Sequence, residues 1–206
     1  MNIEHKTQHL QTVKDSLSSI RFLLCVDLEA TCDELPEGAP PDAKLIVEAD
    51  QMETIEVGLV VLDLHTFNVV DEFQRFVRPL INPSLTAFCR SLTSIEQRYV
   101  DEAGTYREVA EELAAFTTRY PLAAWASWGD YDAKQLARDA AFNKCAPMLD
   151  GLEHHNAKKW HLKILDCRAM GLKPAVESMG LAWRGTYHRG IDDARNLAQV
   201  IKMLLS

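Results

Sequence analysis

The feature that most constrains this chain is the short apolar run Phe22-Leu23-Leu24-Cys25-Val26, which stops on Asp27-Leu28-Glu29-Ala30-Thr31. Consecutive apolar residues of this length predict a strand buried on both faces, so other elements must pack above and below it. On a strand, residues i and i+2 point the same way, about 6.5–7 Å apart. Asp27 and Glu29 therefore share one face at the strand's end. Two ionised carboxylates held dry at that spacing repel each other. A hard divalent cation bound through oxygen, Mg²⁺ or Mn²⁺, relieves the repulsion; solvation at the strand's exit is the alternative.

The rest of the chain supplies the covering layers. Ile55 to Leu64 and Val69 to Val77 are rich in β-branched and aromatic residues, and the polar link His65-Thr66-Phe67-Asn68 joins them as an antiparallel hairpin. Val109, Leu113 and Phe116 recur at helical spacing. Ala123 to Trp128 reads as a further buried strand and Ala133 to Phe142 as a helix. Ala194, Leu197, Ala198, Ile201, Leu204 and Leu205 mark one stripe of a last helix. Strands that interleave with helices after an initial run of three predict an α/β fold, a mixed sheet with helices on its faces. At 206 residues the chain suits a polar N-terminal segment, residues 1–20, and a single domain over 21–206. Cys32 to about Met52, with six acidic residues, three prolines and a glycine, reads as an exposed loop or as a lid. His154 and His155 fall in a polar stretch between helices and read as exposed loop residues.

Two more acidic segments follow that first pair. In Ser127-Trp128-Gly129-Asp130-Tyr131-Asp132 a strand stops at a glycine turn and a helix begins. Asp132 there is either a helix cap or a ligand, and Asp130 competes for both roles. His188-Arg189-Gly190-Ile191-Asp192-Asp193 leads into the last helix. Either aspartate is an ordinary N-cap or a ligand, and His188 is the residue type that moves protons near neutral pH.

Lys and Arg total 22 against 30 Asp and Glu, a net charge of −8. Nucleic-acid binding through a bulk positive field is thereby disfavoured, whereas bound metal ions reverse the field locally. Cys25, Cys32, Cys89, Cys145 and Cys167 are scattered and odd in number, as expected of reduced thiols. The first 20 residues lack the basic and apolar regions of a secretory signal, and no apolar run is long enough to span a bilayer. The expected compartment is the cytoplasm, with no membrane partner.

Taken in order, DLEAT, SWGDYD and HRGIDDARN resemble the DEDDh 3′–5′ exonucleases of the DnaQ-like, RNase H-like superfamily. ETIEVG at Glu53 to Gly58 and Leu92-Thr93-Ser94-Ile95 with Val100 extend the likeness, and GLAWRGTYHRGIDDARNLAQVI is most similar to the Eri/KapD-like branch. The resemblance runs from about Phe22 to the C-terminus. It implies a mixed five-stranded RNase H-like sheet flanked by helices. It also implies that Asp27, Glu29, Asp132 and Asp193 hold two divalent ions, Mg²⁺ or Mn²⁺, with His188 as general base. Leu28, Ala30 and Thr31 would hold the terminal nucleotide. Trp128 and Tyr131 would stack on bases, with a core position as the alternative for Trp128, and Lys163 and Arg189 are candidates to meet phosphates. The implied reaction is metal-dependent release of nucleoside 5′-monophosphates from the free 3′ end of a single strand, RNA rather than DNA. DNA 3′-end trimming or proofreading, and a binding module without turnover, are the alternatives.

Overall fold

The computed structural model describes residues 3–40 and 42–206. Its centre is the strand foreseen from the apolar run, β1 (Phe22–Ala30). β2 (Thr54–Asp63) pairs with it antiparallel, and β3 (Asn68–Phe76) pairs antiparallel with β2. The next three helices are α2 (Ala87–Thr93), α3 (Gln97–Asp101) and α4 (Tyr106–Thr117). After them the chain returns as β4 (Ala123–Ser127), parallel to β1, and later as β5 (His154–Asn156), parallel to β4. The sheet order is β3-β2-β1-β4-β5. The remaining helices are α5 (Tyr131–Asn143), α6 (Ala157–Leu165), α7 (Leu172–Ser178) and α8 (Gly190–Leu205), with α1 (Ile3–Ser16) preceding the sheet.

The alternation of β1 divides the core. Leu23 and Cys25 pack with Leu197, Ile201 and their neighbours on α8, whereas Leu24, Val26 and Leu28 pack with Val109, Leu113 and Leu136 from α4 and α5. Leu23 to Val26 have no solvent exposure, which is why a strand at the centre of a two-faced sheet carries no polar residue until its end. Each leucine buried to that degree contributes about 1.5–3 kcal/mol relative to an exposed one. The same alternation places Asp27 and Glu29 on the α8 side.

Three expectations need correcting. His154 and His155 are not exposed loop residues. They begin β5, where Trp125 of β4 pairs with His154, and His155 is buried. Three residues are too few to show a strand period in the sequence. The polar residues 1–20 contain α1, which rests on α6; Val13 on it and Leu17 just after it are buried in the α8-side core. The loop after β1 is irregular, but it is tied down: Val47 is buried and Gln135 of α5 donates to the Met52 carbonyl. All five cysteines are unpaired, with only Cys25 and Cys89 fully buried. Among the described residues no helix is long and apolar enough to cross a membrane.

One contact fixes the end of α8 against the sheet. A Cβ on Gly58 of β2 would lie 2.0 Å from the Gly190 carbonyl carbon, and Gly58 faces Asp27 across the ladder. Backbone meets backbone there because neither residue has a side chain. Gly58→Ala should therefore cost at least about 1–3 kcal/mol, the range for overpacking a filled core. Thermal denaturation should show a lowered melting temperature; an unchanged one would mean that α8 does not press on β2 in this way.

Candidate active site

Four carboxylates reach one cleft from three elements. Asp27 and Glu29 come from the end of β1, Asp132 from the first turn of α5, and Asp193 from the first turn of α8. The cleft measures about 290 Å³, and Leu28, Ala30, Trp128, Tyr131 and His188 also line it. Glu29, Asp132 and Asp193 are buried, and Asp27 is half-buried.

Neither Asp132 nor Asp193 is a cap. The N-cap of α5 is Asp130, which makes no side-chain cap bond, and that of α8 is Arg189, likewise without one. The Asp132 carboxylate instead accepts from the Leu28 backbone N–H at 3.1 Å, so β1 and α5 are joined at the point where the acids meet. The other two aspartates have local duties. Asp130 accepts from Asn156 Nδ2 at 2.7 Å and Lys159 Nζ at 3.0 Å. Asp192 accepts from the Thr186 N–H and from Arg195, both at 2.8 Å.

His188 sits on the loop before α8 with φ +59°, a left-handed conformation that costs a non-glycine residue about 1–2 kcal/mol. A buried ion pair holds this loop. Glu56 of β2 has no solvent exposure and accepts from Arg189 Nε at 3.0 Å, the Gly190 N–H at 3.2 Å and Gln74 Nε2 at 2.6 Å. Arg189, a candidate phosphate contact in the sequence, is thus committed to Glu56. The Glu56 role was hidden because a glutamate in a strand looks like an outward-facing polar residue, and only the paired strand shows that it faces α8. The His188 ring lies on Tyr187, centroids 3.9 Å apart, and one of its nitrogens lies within 4.8 Å of carboxylate oxygens of Glu29 and Asp193.

The remaining sequence candidates divide. Leu28 and Ala30 form part of the cleft wall, and Tyr131 stands half exposed over it. Trp128 takes the core position and also lines the cleft: its indole N–H donates to the Met170 carbonyl at 3.0 Å, and it packs on the α8-side core. Thr31 is not a cleft residue. It is buried, and its hydroxyl accepts from the Glu53 N–H at 2.9 Å, fastening β1 to the start of β2. Lys163 lies outside the cleft on α6. Tyr187, Leu172, Met52 and Leu92 also line the cleft; Tyr187 and Leu92 fall inside the family-like stretches without being singled out there, and nothing in the sequence marks Leu172 and Met52.

Electrostatics show how these groups constrain one another. Burial, then the charges of Asp132, Glu29, Asp193 and Glu56, hold the Asp27 carboxyl well above the usual carboxylate range. Burial and the charges of Asp193, Glu56 and Asp132 push Glu29 up to about 9. Burial pushes Asp193 up to about 7 against a hydrogen bond from the His188 backbone, and Asp132 up to about 6 against bonds from the Leu28 N–H and Ser127. His188 is lowered by burial and by the Lys173 charge. Asp193 Oδ1 is buried without a hydrogen-bond partner. A set of hard oxygen donors, mutually repelling, with one orphaned oxygen, fits divalent cations.

The mixed sheet with this carboxylate and histidine set defines the class, a DEDDh-type 3′–5′ exonuclease. Residues 24–201 match the family described as RNase_T, Exonuclease. The chain is 30% identical to 3'-5' exonuclease eri1 of Schizosaccharomyces pombe, over 98% of its own length and 74% of the relative's. It is 29% identical to human 3'-5' exoribonuclease 1 over 89% of its length, and it spans about half, 52%, of that relative. The solved nuclease domain of 3'hExo, a DEDDh family member bound to rAMP, superposes with a TM-score of 0.76 at 28% identity, covering 90% of this chain and 92% of that one. The chain belongs to the RNase_T exonuclease family and to its Eri-like branch.

Raised carboxyl pKa values mean that the folded chain binds protons the unfolded chain releases. Their contribution to stability is complete at low pH and is lost as pH rises through about 6, 7 and 9, the positions of Asp132, Asp193 and Glu29. The melting-temperature gain on adding Mn²⁺ should accordingly be larger at pH 8 than at pH 5.5. Asp27→Asn should raise the metal-free melting temperature at pH 8. A metal gain that is the same at both pH values would contradict this electrostatic picture.

Proposed function

We propose that the chain is a divalent-metal-dependent 3′–5′ exonuclease that removes nucleoside 5′-monophosphates from the free 3′ end of single-stranded nucleic acid, RNA in preference to DNA. The observation that carries the proposal is the convergence of Asp27, Glu29, Asp132 and Asp193 with His188 in one cleft. The preference for RNA is supported by the exoribonuclease named among the relatives and by the rAMP in the solved nuclease domain.

Asp27, Glu29, Asp132 and Asp193 would together hold two ions, Mg²⁺ or Mn²⁺. When bound, such ions activate a water and offset charge on the departing oxygen of an in-line displacement. The protein's own part is positioning and proton transfer. Leu28 and Ala30 form an apolar seat for the terminal nucleoside, with its 3′ hydroxyl beside Glu29. Tyr131 and Trp128 stand where bases can stack, which is worth about 1–3 kcal/mol per base. Burial keeps the His188 imidazole neutral at pH 7. Its nitrogen near Glu29 and Asp193 takes one proton of the attacking water as the water oxygen bonds phosphorus and the P–O3′ bond breaks; the departing 3′ oxygen takes a proton from solvent, leaving a 5′-monophosphate and a new 3′ hydroxyl.

The test uses 5′-labelled single-stranded RNA and DNA of the same sequence with Mn²⁺. A ladder shortening from the 3′ end, faster on RNA, is expected, with full loss in EDTA or on Asp27→Ala. Tight binding without shortening under every metal condition would replace the enzyme by a binding module, and faster shortening of DNA would replace the substrate. His188→Ala should lower turnover about 10²–10⁴-fold while the melting-temperature gain with Mn²⁺ persists. Turnover at the normal rate in that variant would remove His188 from the reaction.

A further inference from the structure

A second groove lies one residue along the chain from the cleft. It lies between α1, β5 and α6, measures about 350 Å³ and has Thr12, Asp130, His155, Lys159 and Lys163 among its lining residues. Asp130 is the hinge between the two: it lines the groove, and its chain neighbour Tyr131 lines the cleft. Below them a polar chain crosses the end of β4. The Ser127 hydroxyl hydrogen-bonds Asp132 on the cleft side and lies 2.9 Å from His154 Nε2 on the groove side.

The groove's chemistry is that of a polyanion site. In a chain of net charge −8, the charged groups of its lining are two lysines and the single carboxylate Asp130, with three neutral histidines beside them. Asp130 is already held by Lys159 and Asn156. Lys163 is exposed and makes no ion pair among the described residues. His155 is 8% exposed, and its Nε2 has no hydrogen-bond partner; Glu153 stands 3.8 Å away, beyond bonding distance. A buried ring nitrogen left unpaired in the wall of a cationic groove calls for a ligand that exchanges hydrogen bonds there. A phosphate backbone does so and is also drawn by the lysines. Thr12 places α1, which precedes the matched exonuclease region 24–201, in the same wall.

We propose that this groove is a second nucleic-acid contact site, which holds the backbone of the single strand several nucleotides upstream of the 3′ end in the cleft. The proposal rests on the reading of the cleft as an exonuclease centre. The groove makes affinity depend on substrate length: a strand reaching only the cleft gains nothing from it.

The test compares wild type with Lys159→Gln/Lys163→Gln, both exposed positions outside the cleft, on a trinucleotide and on an RNA of about fifteen nucleotides. Melting temperature should be unchanged. For the longer RNA the double variant should raise KM about tenfold at moderate salt, and the slope of log affinity against log salt should fall by about 0.7 for each phosphate that is no longer neutralised. Turnover of the trinucleotide should stay the same. Equal effects on both lengths, or none on either, would overturn the groove. Should the wild type shorten neither RNA, the exonuclease reading fails, and fluorescence anisotropy with the longer RNA still decides. A weaker affinity and smaller salt slope for the variant uphold the groove, and identical curves overturn it.

Discussion

The structure depends on keeping four like charges at the end of a buried strand. Carboxylates out of water are disfavoured individually, and each neighbour makes the next harder to ionise, as the raised positions of Asp27, Glu29, Asp132 and Asp193 show. Without compensating charge this arrangement destabilises the fold near neutral pH. It persists because the elements that carry the acids are fastened by contacts of their own. The Leu28 N–H reaches Asp132, and Gly58 lies against Gly190.

Glu56 shows how a further buried acid escapes that problem. It accepts from a guanidinium, a backbone N–H and a side-chain amide, so its charge is balanced on the spot. What it secures is the loop carrying His188 in a left-handed conformation, one residue before Arg189. Glu53, just before β2, acts similarly: its carboxylate accepts from the N–H groups of Leu80, Ile81 and Asn82 at 2.7–2.9 Å. Glu56 and Glu53 thus each fix a stretch of backbone, while Asp27, Glu29, Asp132 and Asp193 are left facing one another.

Much of this was legible in the sequence because buried strands and amphipathic helices impose periods. The apolar run of β1, the β2–β3 hairpin and the stripe of α8 carry their structure in their spacing, and the i, i+2 pair on β1 announces the site. What stayed hidden depends on tertiary partners. β5 is three residues with two histidines, and it is a strand only because β4 offers an edge. Thr31, expected to hold the terminal nucleotide, instead accepts from the Glu53 N–H, a partner 22 residues away. Arg189 looked like a phosphate contact until Glu56 was found opposite. Asp132 and Asp193 looked like caps, and no local pattern reveals that their carboxylates turn away from the helix ends.

The central claim is that these four acids form one site for two divalent ions, and Mn²⁺ stoichiometry tests it most directly. Equilibrium binding followed by electron paramagnetic resonance on the purified chain should count two ions per molecule, at least one of which disappears when Asp27 is replaced by alanine. A chain that takes up no Mn²⁺, or the same number with and without the Asp27 carboxylate, would contradict the account.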